Sequence, residues 1–241
     1  MVYNQPARRK GGSVLKGLFL KEIYCVRFQV LLGLAITAIP SVMMLLVADF
    51  TGEIPNGAEG AALFATVPVV LSNFMMILLS SSFMLNTLND DKISGWSKLQ
   101  LTLPVTRKQI IDTKFIASLA IIGFLMLICL VLNLTTVFLY NYPLEICIAA
   151  PFVFGFTEMM VLFPAFPMSM KLNATMNTVI YITLEVIVMG LMTAIVFCAL
   201  DSVIPMWLIR TLFYGVIPAL GIAVMFISRH FAAKFINAEE V

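Results

Sequence analysis

"DDKISGWSKLQLTLPVTRKQIIDTKF", Asp90 to Phe115, is the stretch that decides how the rest of the chain is read. It carries five of the fifteen Lys and Arg residues (Lys92, Lys98, Arg107, Lys108 and Lys114) and has a long apolar run on either side. Apolar runs of 18 or more residues read as membrane helices, because about 20 residues cross the ~30 Å hydrocarbon core. The insert is therefore a polar connection between two spans. The whole composition agrees: 61% of the 241 residues are hydrophobic and 12% are charged, against about 25% charged in a soluble domain.

Working outward, six spans are expected: Phe28–Ala48, Ala61–Leu88, Phe115–Tyr140, Ile146–Met170, Leu172–Leu200 and Ser202–Ser228. The first follows a basic segment and is too long for a signal-peptide core. Lys and Arg in short flanking loops set orientation. Fourteen of the fifteen lie before the first span, in the Asp90–Lys114 loop, at Lys171 or in the tail; the alternate loops hold only acids. Both termini and the insert are thus expected in the cytoplasm, in an all-α, multi-pass cell-membrane protein. Residues 1–12 read as a mobile tail, and 13–241 as one transmembrane domain.

Before the first span, "SVLKGLFLKEIYCVRFQ" groups Val14, Leu15, Leu18, Phe19, Ile23 and Val26 on one helical face. A basic amphipathic helix beside a span lies in the interface; the alternative is a plain extension of the first span. Inside the insert, Asp90 and Asp91 leave the second span, and Ile93, Trp96, Leu99 and Leu103 recur at helical spacing around Lys98. Gly95 weakens that helix and Pro104 stops it. Thr106 and Gln109 form a capping box that starts the next helix at Arg107. Such a piece is either a stiff cross-piece that passes a push into two spans or a positive loop that only fixes topology.

"LTLPVTRKQIIDTKF" resembles the corresponding segment of bacterial ABC type-2 permeases, through Leu103, Pro104, Val105, Thr106, Arg107, Ile110, Lys114 and Phe115. "NDDKISGWSKL", "VLKGLFLKEIY", "LFPAFPMSMKLN" and the tail "SRHFAAKFINAEEV" are similar to other parts of that family. One departure is "KLNATMNTV", where Asn173 stands in place of the usual Gly and further basic residues. The resemblance implies an N-terminal interfacial elbow helix and a coupling helix between spans two and three. Asp90, Asp91, Gly95, Trp96, Lys98, Leu99, Leu103, Pro104, Thr106 and Arg107 would carry the contact with an ATPase. It further implies two copies of an ABC ATP-binding subunit and a second, identical or sister permease. ATP and Mg would sit on the partner and no cofactor on this chain. The short subgroup resembles exporters of phenol-soluble modulins and of bacitracin-type or lantibiotic-type peptides.

The chain itself offers no ATP site: "GSVLKG", Gly12 to Gly17, is followed by Leu18 and not Lys, and no strand precedes it. Four scattered cysteines and the single His230 make no metal spacing or catalytic triad, so no catalytic or metal residue is expected. The basic residues sit at membrane borders, which gives no footprint for nucleic acid; membrane lipids are the other expected contact. Glu158 and Glu185 fall deep in successive antiparallel spans, at similar depth. An ionised group there is costly. They either line a conduit for cationic groups or sit protonated and hydrogen-bonded in the bundle. Arg210 is expected near the outer border, snorkelling to headgroups. The rival reading is a stand-alone secondary transporter or channel, for which matched broken helices or inverted repeats would be the signal; no clear repeat is found.

Overall fold

The computed structural model describes residues 12–51, 69, 72–75, 87, 90–91, 93–95, 106–140, 144–200 and 205–238. They are almost entirely helical. Helix α1 spans Gly12–Thr51, α2 Arg107–Tyr140, α3 Leu144–Lys171 and α4 Ala174–Leu200. A short α5, Met206–Thr211, runs through a π-helical turn, Leu212–Val216, into α6, Ile217–Ala238. Among the described residues, four helical stretches are long and apolar enough to cross a membrane: Lys108–Thr135, Cys147–Ser169, Thr175–Met192 and Leu212–Phe235. Of the six expected spans, Phe28–Ala48 lies within α1, and Ala61–Leu88 falls mostly outside the described residues.

One expectation is corrected. The amphipathic segment near residues 14–27 is no separate helix. It continues without a break into the following stretch, as one 40-residue helix with a contour of about 60 Å. The extension alternative is the one observed. For the last expected span, Ser202–Ser228, residues 201–204 lie outside the described residues, and the described apolar stretch is Leu212–Phe235. It begins in the π-helical turn, where the Ile217 N–H reaches back to the Leu212 carbonyl, a spacing typical of such bulges.

Helix α3 is the most buried of the four spans and lies against α2, α4 and α6. Phe115 of α2 stacks on Phe163 (centroids 5.1 Å apart) and meets Phe166 at a tilt (4.7 Å). On the other side α6 comes so close that a Cβ on Gly221 would stand 2.8 Å from the Phe156 carbonyl oxygen. Small residues permit such approaches between membrane helices.

The sequence of α3 contains Pro151, Pro164 and Pro167, yet it remains helical. Each proline removes one i→i−4 bond, and hydrocarbon supplies no substitute donor. For Pro151 the freed carbonyl is that of Cys147, and Asn133 of α2 donates Nδ2 to it at 3.2 Å. The Asn133 Oδ1 in turn lies 3.4 Å from both Ser72 Oγ and Asn73 Nδ2. One buried amide thus joins three segments of chain. Asn133→Ala should cost about 1 kcal/mol of stability in bicelles, within the range for interhelical bonds in membranes. In a Pro151→Ala background, where residue 151 regains its N–H, the loss should fall to about half or less in a double-mutant cycle. An unchanged loss would refute the compensation.

Candidate functional site

The insert meets the bundle through a ring of four charges. Lys21 and Glu22 come from α1, Asp91 from the end of the segment preceding the insert, and Lys114 from the second turn of α2. Lys21 Nζ donates to Asp91 Oδ1 at 2.5 Å and to Glu22 Oε1 at 3.4 Å. Lys114 Nζ donates to Glu22 Oε1 at 3.1 Å and to Asp91 Oδ2. Each ammonium bridges both carboxylates. The carboxylates are buried, Glu22 at 4% and Asp91 at 6% exposure, and the ring is neutral in sum.

Taking charges out of water is expensive unless they are paired in good geometry. Lys21 registers both effects: burial pushes its ammonium pKa down, but the hydrogen bond to Asp91 and the Glu22 and Asp91 charges outweigh this and leave it raised. The ring has a topological consequence. Asp91 and Lys114, 23 residues apart in sequence, are fastened to each other, so both ends of the insert are held at one point, and that point is also fixed to α1.

The local turns follow from sequence. Thr106 and Gln109 form the expected capping box: the Thr106 N–H donates to Gln109 Oε1 at 2.9 Å, and the Gln109 N–H to Thr106 Oγ1 at 3.3 Å. Asp90 is exposed, and its carbonyl accepts from the Ser94 N–H at 2.9 Å and Ser94 Oγ at 2.6 Å. Gly95 then takes φ +73°, a left-handed conformation that ends helices. This corrects the single helix expected through Ile93, Trp96, Leu99 and Leu103. Ile93 belongs to the helix that stops before Gly95, and it is 80% exposed. Trp96, Lys98, Leu99, Leu103 and Pro104 lie outside the described residues, and Arg107 opens α2.

Deeper in the bundle, Glu158 of α3 is fully buried and accepts from the Tyr181 hydroxyl of α4 at 3.2 Å. Glu185 is also buried and follows Tyr181 by one turn on the same face. The two carboxyls therefore occupy neighbouring turns of the α3–α4 contact. Asn177, one turn before Tyr181, is 1% exposed and extends the polar stripe.

Arg210 is not held by snorkelling alone, since its Nη2 donates to Glu145 Oε2 at 3.1 Å at the opposite end of the bundle from the ring. That pair is exposed and contributes little. Asn173, the departure from the resembled pattern, has its own local role. Its Oδ1 accepts from the Met176 N–H at 2.8 Å and caps α4. Among the described residues, no group of His, Cys, Asp or Glu is arranged to hold a metal.

From sequence, Lys114 counts among the basic residues of the insert, Lys21 and Glu22 do not stand out, and the ring is missed. Its partners lie 70 and 92 residues apart, beyond any local periodicity. A usable signal was the acid at the exit of one span and the lysine just inside the start of the next.

A helical bundle in which four described stretches are long and apolar enough to cross a membrane is the architecture of a multi-pass membrane protein. The sequence matches the family described as ABC-2 family transporter protein over residues 17–237, and the chain belongs to that family. It is accordingly the permease component of an ABC transporter, a membrane subunit of the kind that works with a separate ABC ATP-binding subunit. No curated protein and no solved structure matches it.

Lys114→Met leaves an uncompensated negative charge in the ring and should cost about 3 kcal/mol. Adding Asp91→Asn removes that charge and should restore more than half of the loss in SDS-titrated unfolding. Additive losses in the double variant would mean that the two groups do not act as a pair.

Proposed function

We propose that this permease exports amphipathic or antimicrobial peptides from a bacterial cell. In this reading both termini and the insert face the cytoplasm, and two copies of the ATP-binding subunit dock there. ATP and Mg are bound by those subunits, and a second permease, identical or sister, completes the path. The family membership supports the partnership, and the distribution of Lys and Arg supports the orientation.

The observation that carries the coupling role is the Asp91–Lys114 closure, shared with Lys21 and Glu22. A force applied to the insert arrives at one knot from which α1, the second span and α2 all leave. An ordinary topological loop needs no such knot. Within the insert, Trp96 and Leu99 are the proposed anchors in the ATPase groove. Lys98 and Arg107 supply flanking charge, and Leu103, Pro104 and Thr106 set the turn into α2. Glu158 and Glu185 are the proposed polar spot for cationic groups of the peptide, and the many methionines and phenylalanines offer it an adaptable apolar surface.

Trp96→Ala and Leu99→Ala should each weaken docking of the ATP-binding subunit by roughly ten-fold or more, as central anchors do. Thr106→Ala should loosen the start of α2 by about 1 kcal/mol. The measurements are co-purified ATP-binding subunit and coupled ATPase rate. Full partner binding and turnover in both anchor variants would show that Trp96 and Leu99 are not the anchors and that the insert is not the coupling contact. Glu158→Gln and Glu185→Gln should leave partner binding intact and change peptide-stimulated turnover. Unaltered stimulation would assign both carboxyls to the packing of α3 on α4.

A further inference from the structure

We infer that the groove between α3 and α6, at the end of the bundle that carries the charge ring, is a binding site for an anionic phospholipid of the adjacent leaflet. The two helices run side by side in the same direction. They meet where Gly221 admits the Phe156 backbone, and nearer the basic end both line a cavity of about 460 Å³. Its walls are apolar: Pro164 and Pro167 from α3, and Val224, Ile227 and Phe231 from α6. All five fall inside the apolar stretches Cys147–Ser169 and Leu212–Phe235, so the groove opens at hydrocarbon depth and not into water.

One end of the groove differs. Lys171, two residues beyond the apolar stretch of α3, holds its Nζ 4.0 Å from the centre of the Phe235 ring. Lys234, exposed, lies beside Phe235 on α6. The neighbouring Arg229 is already committed to Asp112 of α2 at 2.7 Å. No carboxylate lines the groove among the described residues. The site is thus an apolar slot with one ammonium group at its end, that of Lys171 over the Phe235 ring, while Lys234 is a neighbour outside the lining. It matches a ligand that has an acyl chain and a negatively charged head. A second copy of this chain seated symmetrically on the same groove would bring its Lys171 toward this one, so like charge opposes that occupant.

The proposal concerns retention of lipid and does not depend on the exported substrate, so it can fail while the function proposed above stands. The full chain is purified in detergent from vesicles of equal phosphatidylglycerol and phosphatidylethanolamine, and bound lipid is counted by native mass spectrometry. The wild type should retain phosphatidylglycerol in excess over phosphatidylethanolamine. Lys171→Gln should lower that retention roughly five-fold, the size of one ammonium's attraction to an anionic membrane surface, and Lys234→Gln, outside the lining, should lower it less. Both are surface changes that leave the core untouched. Val224→Trp, which fills the slot, should displace either lipid. Retention in the ratio of the vesicles, no change in Lys171→Gln, or disulfide cross-linking of two copies through Val224→Cys would each overturn the assignment.

Discussion

Hydrocarbon offers no hydrogen bonds, so every polar backbone group inside a membrane bundle needs a partner from the protein. That constraint bears most heavily on α3, the central helix, because its three prolines each remove one internal donor. The rest of the bundle is arranged around the consequences. Asn133 of α2 supplies the donor missing at Cys147, and Ser72 and Asn73 are drawn to the same amide. Ser169 and Thr157 meet the same constraint for their own hydroxyls, which they turn back onto the Phe166 and Val153 carbonyls and not onto the carbonyls the prolines free. A polar contact that looks optional in a list of residues is therefore obligatory in place, and it fixes the register of α2 on α3 more narrowly than apolar packing does.

The same reasoning orders the two ends of the bundle. At one end, the Glu145–Arg210 pair is exposed on both sides, so water screens it and it serves as a loose tie. At the other end, the four-charge ring has partly or wholly buried members, with side-chain exposures from 5% to 25%. Pairs of that kind do not raise stability cheaply, because desolvation offsets most of the attraction. Their effect is selective. Any shift of α1, the Asp91 segment or α2 by one turn leaves at least one buried charge without its counter-ion, and that alternative is strongly disfavoured.

Much of this was legible from residue order alone. Long apolar runs, the segregation of basic residues and the Thr106–Gln109 spacing are local properties, and local periodicity reads them directly. The capping box has the expected partners in both directions. Four features escaped, for three distinct reasons. The unbroken α1 did so because an amphipathic segment and an apolar one share the same helical period, and nothing in "RFQVLL" marks a boundary between them. The interruption at Gly95 did so because spacing alone cannot tell a helical glycine from a left-handed one. The charge ring and the Asn133 junction did so because their partners are far apart in sequence, and only the packing of α1, α2 and α3 brings them together. Glu158 and Glu185 were found by depth, but the Tyr181 hydroxyl that meets Glu158 has no signal other than the four-residue step from Tyr181 to Glu185.

On the proposed coupling role, the stiffness of the insert matters more than its affinity for a partner. A free segment between two spans would absorb a displacement in its own slack. Closure by Asp91 and Lys114 removes that slack, because the two ends can no longer move apart, and Lys21 and Glu22 prevent the closed knot from sliding along α1. The helix start at Thr106 and the helix stop at Gly95 then set the angles at which the insert leaves the knot. A push that reaches the knot relaxes either by breaking the ring, at the cost of exposing paired charges to an unfavourable environment, or by moving the joined helices as a unit. The second requires no buried charge to lose its partner. It therefore lies at lower energy, which is what a connection between a motor and a membrane bundle requires.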